Sequence, residues 1–450
     1  MSDSISMVKI SKSPPFPKVH GRQWIQPTLP EGGELWSPGD HHSIAKETPK
    51  HAARLDLMSR LTEQTPWKWP RHPVHFICDP HADTDAFLSS LVAAGLIKKG
   101  GPEDGDFKLI RSVKKSRILI GGDCFDKGPS VLRLLRSIHQ VSDRGARLTL
   151  LAGNHDIRTL LGLRSTGSAQ APHNEHFFAR LGAKSVPLLA EIAREYLKDR
   201  HALRGVPSSR ECQRRLLPSK RWFDEFPSIA QWVMPEKNID RELKRLREKI
   251  EELQAACDTA DLSIRQTYAA ARKGEELFLH KKGTFSWFPR NMRLAHRSGS
   301  FLFIHAGINN RVAIMMAEHG IKHLNREFRR QFRGDPFEFY YGPLANTMRT
   351  KYRLSDMPLT KFGVDLVNKM GIHAIVHGHR NLLHGQRIML CKGMINFECD
   401  TSLDRNTRKK EGLKGHGASV TLFHPQGQVL GISNDYPKIR VFEPAALIKK

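Results

Sequence analysis

Residues 118–128 of the chain read ILIGGDCFDKG, and this short run sets the architecture that we predict for the rest of the sequence. Isoleucine and leucine residues lead into a pair of glycines, after which come Asp123 and Asp126. The apolar run is typical of a buried strand, and the glycines allow a tight turn behind it. The pattern therefore predicts a strand that delivers carboxylates to the loop at its carboxyl end.

Four other segments repeat the pattern of an apolar run followed by Asp, His or Asn. They are 74–78 before DPH at 79–81, 148–151 before GNHD at 153–156, 301–304 before His305, and 374–377 before GH at 378–379. Strand-like runs that alternate with helical segments indicate an α/β fold. Ligands bind at the carboxyl ends of strands in such folds, so the five runs together predict one site.

The composition narrows the classes of partner. The chain has 450 residues with 72 Lys and Arg against 46 Asp and Glu, a formal net charge of +26. This excess predicts acidic partners such as phosphate esters, nucleotides, nucleic acid or phosphoproteins. No apolar run reaches membrane-spanning length and the N-terminus has no apolar signal, so we expect no membrane partner and a cytoplasmic location. Six cysteines without a CxxC pair fit a reducing cytosol and predict no disulfide framework.

Changes in composition along the chain predict five segments. They are an extended, basic and Pro-rich N-terminal arm (1–70), the first part of a core domain (71–189), a helical insertion (190–297), the second part of the core (298–440) and a C-terminal tail (441–450). Within the arm we expect at most one short helix, near residues 51–61.

The insertion carries an apolar seam with the alternating four- and three-residue step of a heptad repeat. Its positions are Leu243, Leu246, Ile250, Leu253, Cys257, Ala260, Ile264 and Thr267. One interpretation is a helical hairpin that packs on itself or on the core. The other is a cap or docking arm above the site, or a homodimer seam through residues 236–273.

The residues that follow the strands are of the types that bind divalent metal ions. They are Asp79, His81, Asp123, Asn154, His305 and His379. Carboxylate and imidazole ligands suit hard or borderline metals, and two neighbouring metals need a shared carboxylate. Asp123 follows two glycines and can sit between two ions, whereas Asn154 would add a neutral oxygen.

The order of DPH, GGDCFDKG, GNHD, HAG and GH resembles the motif order of the calcineurin-like metallophosphoesterase superfamily. It is most similar to the serine/threonine protein phosphatase branch and its bacterial relatives, over residues 74–183 and 301–433. The resemblance implies a four-layer α/β/β/α sandwich, with the insertion as a coiled-coil-like cap. It also implies a centre of two divalent metal ions, with Mn as the first choice and Fe, Zn or Mg as alternatives.

The same resemblance implies a role for each residue. The first metal would be held by Asp79 and His81. Asp123 would bridge to the second metal, whose other ligands would be Asn154, His305 and His379. The metals would generate a hydroxide that attacks phosphorus in line, while His155, paired with Asp126, would protonate the leaving oxygen.

Substrate phosphate would then be bound by cationic side chains near the metals. Lys127 stands where the family has arginine, and it would act as a point charge. Arg349 is our choice for a further phosphate ligand, with Arg353 next, and Arg380 can also face the phosphate. Three carboxylates get supporting roles: Asp83 as a loop cap, Asp156 as a support of its own loop, and Asp400 with an indirect role left open.

Three functions follow from these expectations. The first is a metal-dependent hydrolase of phosphomonoesters, with phosphoserine or phosphothreonine in proteins as its substrate. The second keeps the chemistry but acts on a nucleotide of the dinucleoside polyphosphate type, because the HAG form of the fourth motif also occurs in that branch. The third is a nucleic-acid-binding protein with a vestigial metal site, which the charge allows but for which no binding motif is visible.

Overall fold

The computed structural model describes residues 16–38, 51–63, 65–166, 171–199 and 201–447. The strands in this part of the chain are β1 (Gly32–Leu35), β2 (Val74–Ile77), β3 (Ile97–Lys99), β4 (Phe107–Leu109), β5 (Arg117–Ile120), β6 (Leu148–Leu151), β7 (Met292–Arg293), β8 (Ala295–Ser298), β9 (Phe301–Ile304), β10 (Ala374–His377), β11 (Arg387–Cys391), β12 (Met394–Glu398), β13 (Ser419–His424), β14 (Gln428–Ser433) and β15 (Lys438–Phe442).

The helices of the described residues lie between these strands. They are α1 (His51–Glu63), α2 (Thr84–Ala93), α3 (Val131–Asp143), α4 (Asn154–Arg164), α5 (Val186–Tyr196), α6 (Ser209–Leu216), α7 (Lys220–Ala230), α8 (Glu236–Thr259), α9 (Ile264–Leu279), α10 (Trp287–Asn291), α11 (Asn310–Arg333, kinked at Gly320), α12 (Pro336–Tyr341), α13 (Pro343–Asn346), α14 (Lys361–Lys369), α15 (Arg405–Lys410) and α16 (Pro444–Leu447). Short 3₁₀ turns cover Arg22–Trp24, Arg111–Lys115, Pro172–Asn174 and Ala179–Ser185.

Two large sheets form the centre of the fold. The larger has the strand order β1-β15-β14-β13-β2-β5-β6-β7 and the smaller has the order β11-β12-β10-β9-β8. β2, β5 and β6 run parallel to one another, as do β9, β10 and β12. Nearly all residues of the parallel strands are buried. This explains why the strands read as continuous apolar runs in the sequence.

Aromatic side chains join the two sheets. The Phe303 ring of the smaller sheet lies 5.7 Å from Phe76 and 4.9 Å from Phe423, which belong to the larger sheet. On the outside, α2 contacts β13 and α11 contacts β8. The α/β class predicted from the sequence is therefore confirmed, whereas the four-layer α/β/β/α order stays a prediction.

Both ends of the described chain contribute to this core. The segment predicted as an extended arm supplies β1, which pairs in parallel with β15, and it buries Trp36 edge-on against Phe397 at 5.2 Å. The helix expected near residues 51–61 is present as α1, and it packs against α16. The segment predicted as a tail thus continues a strand and adds a helix, and its apolar residues Val441, Phe442 and Leu447 are buried in the core.

Helices α5 to α10 lie in the chain between β6 and β7, which are neighbours in the larger sheet. The heptad seam is not one continuous helix, since α8 ends at Thr259 and Asp261 adopts a left-handed φ of 53°. α8 packs on the turn Ala179–Ser185 and α9 packs on α4, α5 and α6.

Packing on the core, one of the two interpretations, is what the structure shows. Leu246 and Leu253 are already buried within the chain. The homodimer predicted through 236–273 stays a prediction. The buried part of the seam offers no free surface for a second copy of the chain.

Two further expectations concern the chain as a whole. All six cysteines are free and buried, in agreement with the absence of a disulfide framework. Among the described residues, no helix combines the length and the apolar character that a bilayer crossing requires.

Candidate metal centre

The loops after β2, β5, β6, β9 and β10 meet at one place, where both sheets end. Each loop brings a side chain predicted from the sequence, and those of Asp79, His81, Asp123 and His305 are almost completely buried. Parallel neighbours in each sheet place these carboxyl ends side by side. The structure therefore brings together, in one site, side chains that are up to 300 residues apart in sequence, as Asp79 and His379 are.

Three histidines face the same carboxylate oxygen, Asp123 Oδ2. Its distance is 3.9 Å to His81 Nε2, 3.9 Å to His155 Nε2 and 3.4 Å to His305 Nε2. The other ring nitrogen of each histidine is anchored elsewhere. His81 Nδ1 lies 3.1 Å from the Phe125 carbonyl, and His305 Nδ1 lies 2.8 Å from the Gly121 carbonyl. Such anchoring through Nδ1 fixes the ring and leaves Nε2 for a ligand.

Asp79 and His379 complete the cluster. The His379 backbone N–H donates to Asp79 Oδ2 at 2.8 Å, and His379 Nε2 lies 3.1 Å from the carbonyl oxygen of Arg349. Asn154 Oδ1 lies 3.1 Å from His305 Nε2. Asp123 belongs to two groups of donor atoms, each spanning at most 4.8 Å: one with His81 and His155, the other with His305 and His379.

The donor set fits divalent metal ions. Asp79 Oδ1 and His81 Nε2 are buried, yet neither makes a hydrogen bond with any described residue. Buried polar atoms without a partner are costly, and a cation would satisfy both. Carboxylate oxygens, an amide oxygen and imidazole nitrogens are ligands that Mn, Fe, Zn and Mg accept. These side chains are therefore suited to hold metal, with Asp123 as the shared ligand.

The charged groups of the cluster shift one another's pKa values. Burial alone would raise the pKa of Asp123, but the charges of His305 and His155 hold that pKa well below its usual range. Burial and the carboxylates of Asp400 and Asp123 raise the pKa of Asp79 well above its usual range. Although burial favours the neutral ring, Asp123 and Asp79 raise the pKa of His305 to about 10. The carboxylates of the cluster thus lie so close together that the charged form of Asp79 is disfavoured, and a cation beside them would favour it.

Asp156 connects two of the loops. Its carboxylate accepts the backbone N–H groups of Asp123 at 2.9 Å, Cys124 at 2.8 Å, Phe125 at 3.2 Å and Gly153 at 3.0 Å. The predicted supporting role of Asp156 is confirmed, and it holds the loop that carries Asp123 against the start of α4.

The expected cap at Asp83 is also confirmed. Asp83 accepts the Ala86 N–H at the start of α2 and pairs with Arg405.

Several site residues have strained backbones. Asp79, His81, Asp123 and His379 adopt left-handed φ values between 41° and 68°, and the same holds for Asp126 and Lys127, each at 65°. Such conformations cost roughly 1 to 3 kcal/mol each and cluster at functional sites. Asp and His tolerate the left-handed region better than most residues, but neither residue type marks such a position by itself, so the sequence did not predict this strain.

His155 forms a buried network beside the cluster. His155 Nδ1 lies 2.8 Å from Asp126 Oδ2, as predicted for this pair, and Arg158 Nη2 donates to the same oxygen at 2.6 Å. Burial lowers the pKa of His155, an effect opposed by Asp123 and Asp126. Sequence reasoning missed Arg158, although its position one helical turn after His155 on α4 was a usable signal.

The cluster opens into a cleft with a volume of about 1400 Å³. Asp123, His155 and His379 lie at its base, and both Lys127 and Arg380 line it, as expected of phosphate ligands. Arg380 also donates to Glu398 Oε1 at 3.0 Å. The cationic residues that the sequence did not single out are Lys184, Lys351, Lys392, Arg387 and Lys410.

Arg349 and the helical insertion take other places than expected. The Arg349 guanidinium stacks 4.2 Å from the Tyr340 ring centre and donates to the Tyr340 carbonyl at 2.5 Å, outside the described lining of the cleft. Arg353, the next choice, does line it. Most of the described lining comes from residues 351–360, 379–392 and 406–411, and none of it comes from 190–297. The long helices of the insertion pack instead on α4, α5 and the turn Ala179–Ser185.

Neither models of known protein families nor curated proteins match the sequence. Among solved structures, the chain is similar to a cold-active protein tyrosine phosphatase at 14% identity, over 87% of this chain and 85% of that chain, with a TM-score of 0.44. It is also similar to the cold-active protein-tyrosine phosphatase of the psychrophile Shewanella sp. at 13% identity, over 85% of this chain and 84% of that chain, with a TM-score of 0.40.

The chain is also similar to a protein serine/threonine phosphatase from Saccharomyces cerevisiae with similarity to human phosphatase PP5, at 12% identity, over 86% of this chain and 87% of that chain, with a TM-score of 0.34. Likenesses this weak carry no argument about activity, so the chemistry has to come from the residues of this chain.

Proposed function

We propose that this protein is a metal-dependent phosphatase that hydrolyses phosphomonoesters, with phosphoserine or phosphothreonine in proteins as its substrate. The observation that carries the proposal is one buried oxygen, Asp123 Oδ2, faced by three imidazole nitrogens at 3.4 to 3.9 Å. A carboxylate in this position is suited to be the shared ligand of two ions. Divalent ions held there would acidify a water molecule and neutralise charge on a phosphate group.

The ligand assignment extends the pattern found in the sequence. Asp79 and His81 would hold one ion, and Asn154, His305 and His379 would hold the other, with Asp123 between them. Asp156 is a positioning residue, since its four backbone hydrogen bonds fix the loop of Asp123. Asp400 also acts indirectly, because its carboxylate raises the pKa of Asp79 and increases the demand for a cation there.

His155 is suited to protonate the leaving oxygen. Its Nδ1 is held by Asp126 at 2.8 Å, which leaves Nε2 directed to the centre, 3.9 Å from Asp123 Oδ2. Asp126 favours the ring orientation and stabilises the protonated ring, and Arg158 holds Asp126 in place at 2.6 Å. A general acid in this position shortens the lifetime of negative charge on a departing serine or threonine oxygen.

Phosphate binding would fall to cations at the base of the cleft. Lys127 supplies a compact charge, and Arg380 supplies a planar guanidinium whose orientation is fixed by Glu398. Arg349 is left out of this role, because its guanidinium is engaged with Tyr340.

The proposal is tested by phosphate release from p-nitrophenyl phosphate and a phosphothreonine peptide, after chelation and reloading with Mn. Wild type should be active with Mn and inactive after chelation. Asp123→Asn should lose activity even with Mn, whereas the matched control Asp224→Asn, an exposed position on α7, should retain it. Equal activity of Asp123→Asn and wild type would contradict the proposal, as would an inactive Mn-loaded wild type.

A nucleotide substrate is the alternative to a phosphoprotein. Turnover of a dinucleoside polyphosphate, together with no release from any phosphopeptide, would retain the metal chemistry and replace the substrate.

A further inference from the structure

The cleft contains more positive charge than one phosphate group requires. Five lining side chains make no hydrogen bond or ion pair with any residue that the structure describes: Lys127, Lys184, Lys351, Arg353 and Lys410. Some cations elsewhere in the chain are paired with carboxylates, as Arg133 is with Asp85 and Asp104. Unpaired cations gathered in one concave surface raise the local concentration of anions.

The acidic residues of the cleft do little to neutralise these cations. Among the described lining residues, Asp123 belongs to the metal cluster, and the Glu411 carboxylate forms no ion pair with any of the five cations. Asp356 Oδ2 accepts the backbone N–H groups of Lys351 at 2.7 Å and Arg353 at 3.0 Å. The cations also repel one another. Burial, together with the positive charges of Arg158 and Lys127, lowers the pKa of Lys184. An anion bound among them would relieve this repulsion.

One wall of the cleft is apolar. Met357, Pro358 and Leu359 line it, and Leu354 on the same segment is fully exposed. An exposed leucine beside a charged cleft is suited to contact an apolar part of the ligand. The volume of about 1400 Å³ also exceeds the roughly 300 to 1000 Å³ that is usual for a small-molecule pocket.

The same lining argues against a nucleotide base. Tyr352 is the aromatic residue among the described lining residues, and the Arg380 guanidinium lies 5.6 Å from its ring centre. The Tyr352 hydroxyl accepts the Ile308 N–H at 3.3 Å. Bases bind to proteins largely by stacking on open aromatic faces. Apart from Tyr352, the rings among the described lining residues are the imidazoles of His155 and His379, which belong to the metal centre.

We infer that the substrate is a phosphorylated protein segment that carries acidic residues next to the phosphorylated residue, with an apolar residue that packs against Leu354. The inference rests on the proposed function and adds its substrate class. Lys184, Lys351, Arg353 and Lys410 would bind the flanking carboxylates, while Lys127 and the metal centre would bind the phosphate. Specificity then comes from charge around the phosphate rather than from the insertion.

Binding measurements test the inferred preference for acidic flanking residues without any need for turnover. Labelled peptides with a non-hydrolysable phosphonate analogue of phosphothreonine, flanked by Glu, Gln or Lys, are titrated with the Mn-loaded full chain by fluorescence anisotropy. We expect the Glu-flanked peptide to bind about tenfold or more tightly than the Gln-flanked one, and the preference to shrink with added salt. The Lys-flanked peptide should bind most weakly.

Substitutions locate the effect. Lys184→Gln, Lys351→Gln, Arg353→Gln and Lys410→Gln should each weaken the Glu-flanked peptide by about two- to fivefold, and the Gln-flanked peptide by less. Lys322→Gln, an exposed position on α11, is the matched control and should leave both affinities unchanged.

The outcomes separate the two claims. Equal affinity for the Glu- and Gln-flanked peptides overturns this inference, and the proposed function survives if p-nitrophenyl phosphate is still hydrolysed. Tighter binding of a nucleoside polyphosphate than of any peptide, weakened by the same four substitutions, also overturns it in favour of a nucleotide. Selective binding of the Glu-flanked peptide by a protein that releases phosphate from no ester overturns the proposed function and, with it, the claim that the peptide is a substrate.

Discussion

Gly122→Ala should damage the candidate centre from a position that binds nothing itself. Gly122 has a φ of 91°, and a Cβ added there would lie 2.6 Å from Gly153 N, 2.7 Å from Gly153 Cα and 2.9 Å from His305 Nδ1. Two of these atoms belong to the backbone and cannot rotate away. Since an ordinary contact is about 3.5 Å, the loops must separate by roughly 1 Å.

The magnitude follows from two separate costs. A left-handed φ costs alanine about 1 to 2 kcal/mol, and forcing an extra carbon into a packed site costs about 1 to 3 kcal/mol. The free energy of unfolding should therefore fall by about 2 to 5 kcal/mol. Gly145→Ala is the matched control, because Gly145 has a φ of 97° but no atom within 4 Å of an added Cβ. In Gly145→Ala the free energy of unfolding should fall only by the cost of the left-handed φ.

Denaturant unfolding and Mn-dependent phosphate release measure both effects. A displacement of about 1 Å in a catalytic loop can lower the rate by about 100-fold, so we expect a loss of that order in Gly122→Ala and near wild-type activity in Gly145→Ala. If the two variants lost equal stability and equal activity, the close approach of the Asp123, Gly153 and His305 loops would not matter, and the reasoning would be refuted.

Three other predictions address the acid, a buried ion pair and the metals. His155→Ala should slow the hydrolysis of a phosphothreonine peptide by about 100-fold or more. The hydrolysis of p-nitrophenyl phosphate should slow much less, because nitrophenolate leaves without a proton. Equal losses in the two steady-state rates would contradict the assignment of His155 as the acid. Arg408→Ala should lower the free energy of unfolding by about 3 to 5 kcal/mol in a denaturant titration, since it leaves Asp435 buried and unpaired. Arg214→Ala, which breaks an exposed pair with Glu211, should leave the free energy of unfolding nearly unchanged. Mn at 100 times its dissociation constant should stabilise wild type against thermal unfolding by about 2.7 kcal/mol per site. Asp123→Asn should be stabilised less, and an identical gain in both proteins would count against Asp123 as a ligand.

The strand ends were predictable from the sequence, because each buried strand there is a short apolar run with a polar residue behind it. Parallel strands then place those residues at one edge, which is why Asp79 and His379 could be assigned to one site despite their distance in sequence. The pairing of His155 with Asp126 was likewise predictable, from the resemblance of the motif order to that of a known superfamily.

The walls of the cleft were not predictable in the same way. Residues 351–360 have no regular periodicity, so nothing in the sequence placed Lys351 or Leu354 beside the metal cluster, and Arg353 was only the second choice for a phosphate ligand. Arg349 illustrates the limit: its position in the chain suggested a phosphate ligand, but stacking on Tyr340 decided its orientation. The break in the heptad seam at Asp261 was also hidden, because no glycine or proline marks that turn.

The central claim is that Asp123 is shared by two metal ions, and metal stoichiometry tests it most directly. Equilibrium dialysis against Mn, followed by elemental analysis, should give two ions per chain for wild type and for Asp224→Asn. Asp123→Asn should retain at most one ion, bound more weakly. Two ions bound to Asp123→Asn with unchanged affinity, or no ion bound to wild type, would contradict the account.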